Sequence, residues 1–356
     1  MIRAIDGFDH YGAAADLQRK ARGIVWSTTT FCSVQTPGTR GLGKCINIQS
    51  PSNAPPSNLT GALTANYTEG FFEFDMTVAA NGVNVNVVTV TIVDFSTGGT
   101  GTTQGTVEMD QAGAAIRVFN AAGTLVGFKS GAFIIGSAFK FGIGLLVSSS
   151  AGYIAVRVNN QAVLNITGLN TEGGANAFFN GITVTTPSGY AGCLIDNFTF
   201  CDTVAGPGTY PTDTFLGMTR VNTLFPTGNG ATTQWTPAAG ANWQEVNATA
   251  FNGGTTYNAT ATDGATDLLV MQSLTGTVST VIAVQLTGAY EADAAGPLAA
   301  KHLISNGSTV ATGSSMAIGL DYAFLSDIAE VNPITSGAWT AGQVNSYTFG
   351  YELVVL

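Results

Sequence analysis

Charge is what this sequence has least of. Asp, Glu, Lys and Arg make up 10% of the 356 residues, where a globular domain ordinarily carries about 25%. With 45% apolar residues, such a balance invites comparison with a membrane protein. No uninterrupted apolar window of about 18 residues exists, which argues against a spanning helix and against membrane insertion. The opening MIRAIDGFDHYG lacks the apolar core of a signal peptide. The expectation is a chain made in a cytoplasm and not exported by that route.

Histidine and cysteine are also scarce. His10 and His302 are far apart in sequence, without acidic neighbours at useful spacing, and a Ser-His-Asp site needs its base within reach of a nucleophile. Both are read as packed or capping residues. Cys32, Cys45, Cys193 and Cys201 form no CxxC and pair with no histidine motif, so a zinc site is not indicated. Free buried thiols are expected, with a Cys32–Cys45 disulfide left open for an extracellular setting. No segment repeats at a fixed period, so a solenoid or fibre shaft is not indicated.

The net charge of −10 is uneven. Residues 1–44 hold six basic residues, Arg3, Arg19, Lys20, Arg22, Arg40 and Lys44, against three acids, while the remainder is strongly acidic. A nucleic-acid binder would show a wider basic stripe, so no nucleic-acid partner is expected. A basic head suits an acidic partner or a solvated helix face. The polar surface is instead supplied by Thr, Asn, Ser and 45 glycines, groups that other chains can cover at small desolvation cost, and assembly into a homo-oligomer is expected.

Residues Gly12 to Arg22, GAAADLQRKAR, are the one good helical stretch, stopped by Gly23. Ile5, Phe8 and Tyr11 precede it as anchors. From Ile24 the hydrophobic period becomes two: about a dozen short runs separated by Gly, Asn, Pro and Ser turns predict an antiparallel sandwich over 24–202. Within it STGGTGTTQG (Ser96 to Gly105) reads as a mobile loop, and Asn159-Asn160-Gln161 as a hairpin tip. The strand LIDNFTFCD opens on a turn-forming Asp196-Asn197 pair and closes the domain.

A Pro/Gly/Thr linker at 203–212 then separates two apolar patterns, as a domain boundary does. Residues 213–356 read as a second β-sandwich, with strands at RVNTLFP, TYNATA, VSTVIAVQLTGAY, AKHLISN, DYAFLSDI and NSYTFGYELVVL, and loop plus strand at TDLLVMQSL. The fold class is therefore all-β: a 1–23 arm with one short N-terminal helix, and two jelly-roll-like β-sandwich domains.

Three constellations could carry chemistry. Glu69, Glu73 and Asp75 alternate on one strand, so Glu73 and Asp75 share a face, yet no partner acid stands on an equivalent strand as glycoside hydrolysis requires. They read as solvated outer-face acids, and no catalytic residue is assigned. Asp110, Asp196 and Asp202 are too scattered for a calcium site. Trp235, Trp243, Tyr257 and Asn242 cluster in and near QWTPAAGANWQEV. Rings beside amides suit a sugar, but equally seal a sandwich end or form a subunit contact. Asn-x-Ser/Thr triplets start at Asn58, Asn66, Asn165, Asn197, Asn247, Asn258 and Asn306, as chance gives in so Asn- and Thr-rich a chain.

The order of the aromatic strand TEGFFEFDMTV, the hairpin GYIAVRVNNQAVLNI and the closing LIDNFTFCD resembles the laminin-G or concanavalin A-like jelly-roll family, with Asn160-Gln161 where Asn-Gly is commoner. That resemblance implies a jelly roll and allows a structural calcium; no other cofactor is implied. The opening IDGFDHYG with the ADLQRK helix, and TDTFLGMTRVNTLFPTGNG after the seam, are similar to structural proteins of tailed-bacteriophage virions, with Met218 and Thr219 departing from the pattern. This resemblance implies a non-enzymatic virion protein, a tail-fibre, tail-associated or head-decoration component. It would be assembled in the host cytoplasm, touch other virion proteins, form a homo-oligomer of which a trimer is the habit, and contact a host surface glycan. Phe8, Tyr11, Arg19, Lys20 and Arg22 are then the candidate particle anchor. The alternatives are a carbohydrate-binding adhesin module and, behind it, a glycan-degrading enzyme.

Overall fold

The computed structural model describes the chain except for residues 21, 29, 30, 42, 52, 53, 80–86, 99, 100, 189–191, 209 and 212. It is an all-β protein of antiparallel sheets in sandwich-like units. In the first unit a front sheet runs in the order Gln161–Leu169, Gly152–Val158, Ala138–Leu146, Glu69–Val78, Gly192–Asp202, Cys45–Gln49, Cys32–Gln35. The back sheet runs Leu125–Lys129, Ala115–Asn120, Thr102–Asp110, Val87–Asp94, Phe179–Thr186, Ser57–Tyr67, Ile24–Thr28. Strict alternation explains the pairing. Phe72, Phe74, Met76 and Val78 of the front sheet and Val88, Val90 and Ile92 of the back sheet meet in one core. Burying each such side chain stabilises by about 1.5–3 kcal/mol.

The closing strand differs from its sequence reading. Gly192–Asp202 is one continuous strand, and Asp196-Asn197 is a bulge inside it, where the register shifts and Asn197 takes φ 51°. The extra residue resets the parity, so that Cys193 and Ile195 before it and Phe198 and Phe200 after it all face the core. The first part of this strand pairs with Cys45–Gln49 and the last part with Ile2–Asp6. Residues expected to form an N-terminal arm thus supply a strand of the front sheet.

The predicted helix over Gly12 to Arg22 is a shorter 3-10 segment, Ala14–Arg19. Asp16 accepts the N–H groups of Gly12 and Ala13 at 2.9 and 2.8 Å, and Lys20 then turns extended so that its amine reaches inward. At Asn159-Asn160 both residues have positive φ, 49° and 62°, and Val158 pairs with Gln161. That is a two-residue hairpin of the type Asn favours. The stretch expected as a loop at 96–105 is already strand from Thr102; positions 99 and 100 lie outside the described residues.

The second β-region has a sheet ordered Pro226–Thr233, Thr266–Met271, Thr348–Val355, Leu298–Ser305, Val310–Thr312, and a separate pair, Val284–Tyr290 with Ala323–Ala329. RVNTLFP is not a strand: pairing begins only at its last residue, Pro226. Short helices at Asn242–Glu245 and Ala341–Ser346 add to the single helix expected.

Candidate functional site

Three polar constellations lie beyond the hydrophobic core. The first explains IDGFDHYG. Asp6 is buried and accepts hydrogen bonds from the Phe8 N–H (2.9 Å), Tyr11 Oη (2.8 Å), Lys20 Nζ (3.0 Å) and Trp26 Nε1 (3.0 Å). Burial pushes this carboxyl up, but Lys20, His10 and the donated hydrogen bonds outweigh it and hold it below the ordinary range. Phe8, Tyr11 and Lys20, predicted to face a partner, are instead fully buried around this carboxylate. They are core residues because Asp6 must be neutralised and bonded once the strand Ile2–Asp6 joins the sheet. Arg19 lies over the Phe251 ring at 5.1 Å and Arg22 pairs with Asp327 at 3.1 Å, so both face the second β-region. His10 stacks on Tyr11 at 4.0 Å, and burial lowers its pKa to about 4.

The second constellation is the outer face of the front sheet, where Glu73 and Asp75 stand. They are not solvated, as the sequence had suggested, but 2% and 0% exposed, because residues 215–221 return across this face. Phe215 packs on Phe71, ring centroids 4.9 Å apart, with the Arg157 guanidinium over its ring at 4.5 Å. Room for it exists because Gly142 and Gly144 carry no side chain: a Cβ at either would lie within 2.9–3.1 Å of the Phe215 ring. Glu73 accepts the N–H groups of Leu216 and Gly217. Arg40 grips Asp75 with two hydrogen bonds, 2.7 and 2.9 Å, and Asn197 Nδ2 donates to the same carboxylate at 2.9 Å. Lys140 Nζ donates to the Asn197 and Thr219 carbonyls, each at 3.2 Å. Burial raises Glu73, against Lys140 and the N–H groups of Leu216 and Gly217. Asp196, buried and near Asp9 and Asp75, is pushed up to about 7.

The third is an open cleft of about 1890 Å³ against the second β-region. The four aromatic and amide residues singled out in the sequence divide here. Trp235 and Tyr257 line the cleft; Asn242 and Trp243 are not among its walls. Asn242 is buried, its Nδ2 donating to the Trp235 carbonyl and to Asp267 Oδ2, both at 2.7 Å. Trp235 donates from Nε1 to the Ala265 carbonyl at 3.0 Å and stands edge-on to Tyr351. Trp243 is tied through its N–H to Asn229 Oδ1 at 3.0 Å. Asp267, which also accepts from Tyr351 Oη at 3.1 Å, is the hub that the sequence reading missed. Tyr257 alone of the four is exposed, and the cleft adds Tyr322 and Phe251, whose rings meet at 5.2 Å, beside exposed Glu291 and Asp321. No spacing rule would have selected Tyr322, since it comes to Phe251 from 71 residues away.

Asp110, Asp196 and Asp202 are spent on protein partners. Asp110 pairs with Arg117, Asp202 with Arg3 at 2.6 Å, and Asp196 accepts from the Asn197 N–H at 2.7 Å. Cys45, Cys193 and Cys201 are free, buried thiols, and the Cys32 Sγ lies 3.4 Å from the Asn58 carbonyl oxygen.

No protein-family profile matches the sequence, and no curated protein matches it. Among solved structures, a sialidase is similar over 57% of this chain and 18% of its own, at 14% identity and a TM-score of 0.43. A winged bean acidic lectin solved with methyl-α-D-galactose matches 55% of this chain and 97% of its own, at 10% identity and a TM-score of 0.38. A carbohydrate-binding module from Bacillus subtilis matches 49% of this chain and 94% of its own, at 11% identity and a TM-score of 0.33. At this distance none of them transfers a ligand or a reaction, and the site rests on its own geometry.

Proposed function

We propose that this chain is a non-enzymatic carbohydrate-binding protein that works on the surface of a tailed-phage particle. The observation that carries the binding role is the open cleft, whose wall is lined by the aromatic side chains of Tyr257, Tyr322 and Phe251 together with the carboxylates of Glu291 and Asp321. Sugars present apolar C–H faces edged by hydroxyls. Rings take the former, and carboxylates and amides accept from the latter. The non-enzymatic part is supported by the fate of Glu73 and Asp75, the acids a glycan-cleaving sandwich would need exposed: both are buried, Glu73 accepts from the Leu216 and Gly217 N–H groups of the covering segment, and Asp75 accepts from Arg40 and Asn197. The particle setting rests on the resemblance of IDGFDHYG and TDTFLGMTRVNTLFPTGNG to phage virion proteins. Assembly with other virion proteins and with further copies of this chain follows from that reading.

A glycan array probed with the full chain tests the binding role. Retention of a defined set of glycans, weakened about three- to tenfold by Tyr257→Ala or Tyr322→Ala, is expected; an array with no retained glycan would remove it. Labelled antibody on intact particles tests the setting, and label absent from head and tail alike would refute it.

A further inference from the structure

We propose that Lys140 and Asn197 become joined by an intramolecular isopeptide bond, the Lys140 amine displacing ammonia from the Asn197 carboxamide beneath the strap of residues 215–221. Three neighbouring strands supply the parts. Ala138–Leu146 and Gly192–Asp202 flank Glu69–Val78, so the amine and the carboxamide stand on either side of the strand that carries Asp75. Lys140 faces Asp75 directly across one ladder, and Asp196, the neighbour of Asn197, faces it across the other.

Lys140 is an unusual lysine. It is 1% exposed, and its Nζ is held by two neutral carbonyl oxygens, one of them the backbone oxygen of Asn197 itself. Lys20, the other buried lysine of this chain, has a carboxylate at 3.0 Å. An ammonium without that support is costly to bury, and burial lowers the Lys140 pKa against the pull of Asp75 and Glu73. The free amine is the nucleophilic form.

The carboxamide is fixed at both of its polar atoms. Asn197 Oδ1 accepts the Val221 N–H at 2.8 Å, a donor placed where negative charge develops when Cγ is attacked. Asn197 Nδ2 donates to Asp75 Oδ2 at 2.9 Å, so a base touches the leaving nitrogen. Lys140 Nζ adds to Cγ and the carbonyl pair moves onto Oδ1. Asp75 takes a proton from Nζ and returns one to Nδ2. The pair then re-forms the carbonyl, Cγ–Nδ2 breaks and ammonia departs. One C–N bond replaces another, and neither oxidant nor reductant is consumed.

The left-handed backbone at Asn197 (φ 51°) and the strap that seals the face acquire a purpose in this scheme: the first sets the carboxamide over Asp75, and the second excludes water from the reacting groups. A bond here would tie the closing strand to Ala138–Leu146 across the middle of the front sheet.

Intact-mass measurement and a proteolytic peptide map of the folded full chain decide the matter. The expected result is a mass below that of the sequence by one ammonia, with a branched peptide containing both Lys140 and Asn197, and the full sequence mass in Lys140→Arg. A wild-type map that holds Lys140 and Asn197 in separate, unmodified peptides overturns the proposal, and this outcome needs no variant to fold. Ammonia loss that persists in Lys140→Arg also overturns it, since it would mark cyclisation at another asparagine, such as Asn306 before Gly307.

Discussion

Glu73 accepts the backbone N–H of Gly217 at 3.1 Å across 144 residues of chain. With the Leu216 N–H on the same carboxylate, this contact fastens the segment leading into the second β-region onto the outer face of the first. Glu73→Ala leaves two buried N–H groups without an acceptor, a loss of about 1–3 kcal/mol for each such group. Urea unfolding is expected to show that destabilisation, and limited proteolysis to open the chain between 203 and 225 before any other site.

Gly144 tests the same strap from beneath. A Cβ there would meet Phe71 Cδ1 at 2.9 Å and Phe215 Cζ at 3.1 Å. Gly144→Val must displace at least one of these rings, with an overpacking cost of about 1–3 kcal/mol. Thermal melting should fall accordingly, whereas Gly168→Val, on a residue with open space around its Cβ position but a φ of +69°, should show backbone strain alone.

Breaking the Asp6 hub is expected to be more severe. Asp6→Asn removes the charge that compensates Lys20, which is 2% exposed, and loss of one partner of a buried pair costs about 3–5 kcal/mol. Arg22→Ala removes a half-exposed partner of Asp327, and exposed pairs contribute about 0–1 kcal/mol. Denaturant midpoints of the two variants should differ in that order, and equal shifts would contradict the hub.

Asp196 and His10 oppose one another in pH dependence. Burial raises Asp196 to about 7 from 3.8, so the folded state binds the extra proton and stability falls as pH rises from about 4 to 7. Burial lowers His10 from 6.5 to about 4, so its contribution is present above 6.5 and is lost as pH falls through this window. Asp196→Asn should therefore gain stability relative to the parent with rising pH, by about 1.4 kcal/mol per unit at most. Urea midpoints at a series of pH values from 4 to 8 check it, and a constant difference would refute it.

Trp235 and Tyr257 should separate under mutation. Trp235→Ala removes the Nε1–H bond to Ala265 and the edge contact with Tyr351 of a half-buried ring, lowering stability by about 1–3 kcal/mol. Tyr257 is 47% exposed, so Tyr257→Ala should leave the melting temperature nearly unchanged and act on glycan retention alone.

The strands of the first sandwich were legible because alternation over Tyr67 to Val78, Phe139 to Asn165 and Cys193 to Asp202 is a local property of the chain. The second β-region was less so: RVNTLFP reads as an apolar strand segment, yet only Pro226 enters one, since pairing requires a neighbour that local sequence does not reveal. Helical propensity in GAAADLQRKAR was overridden by the demand of Asp6 for the Lys20 amine.

Composition and period by themselves determined an all-β chain, with antiparallel strands and few charges. What only the tertiary structure decided is which of those few charges are buried, and why. Lys20 closes on Asp6 from 14 residues away, Arg40 on Asp75 from 35, and Glu73 on the strap from 144. Such partners are chosen by sheet order and by the return of the chain over the front sheet, and a charge leaves water only where that geometry supplies its counterpart.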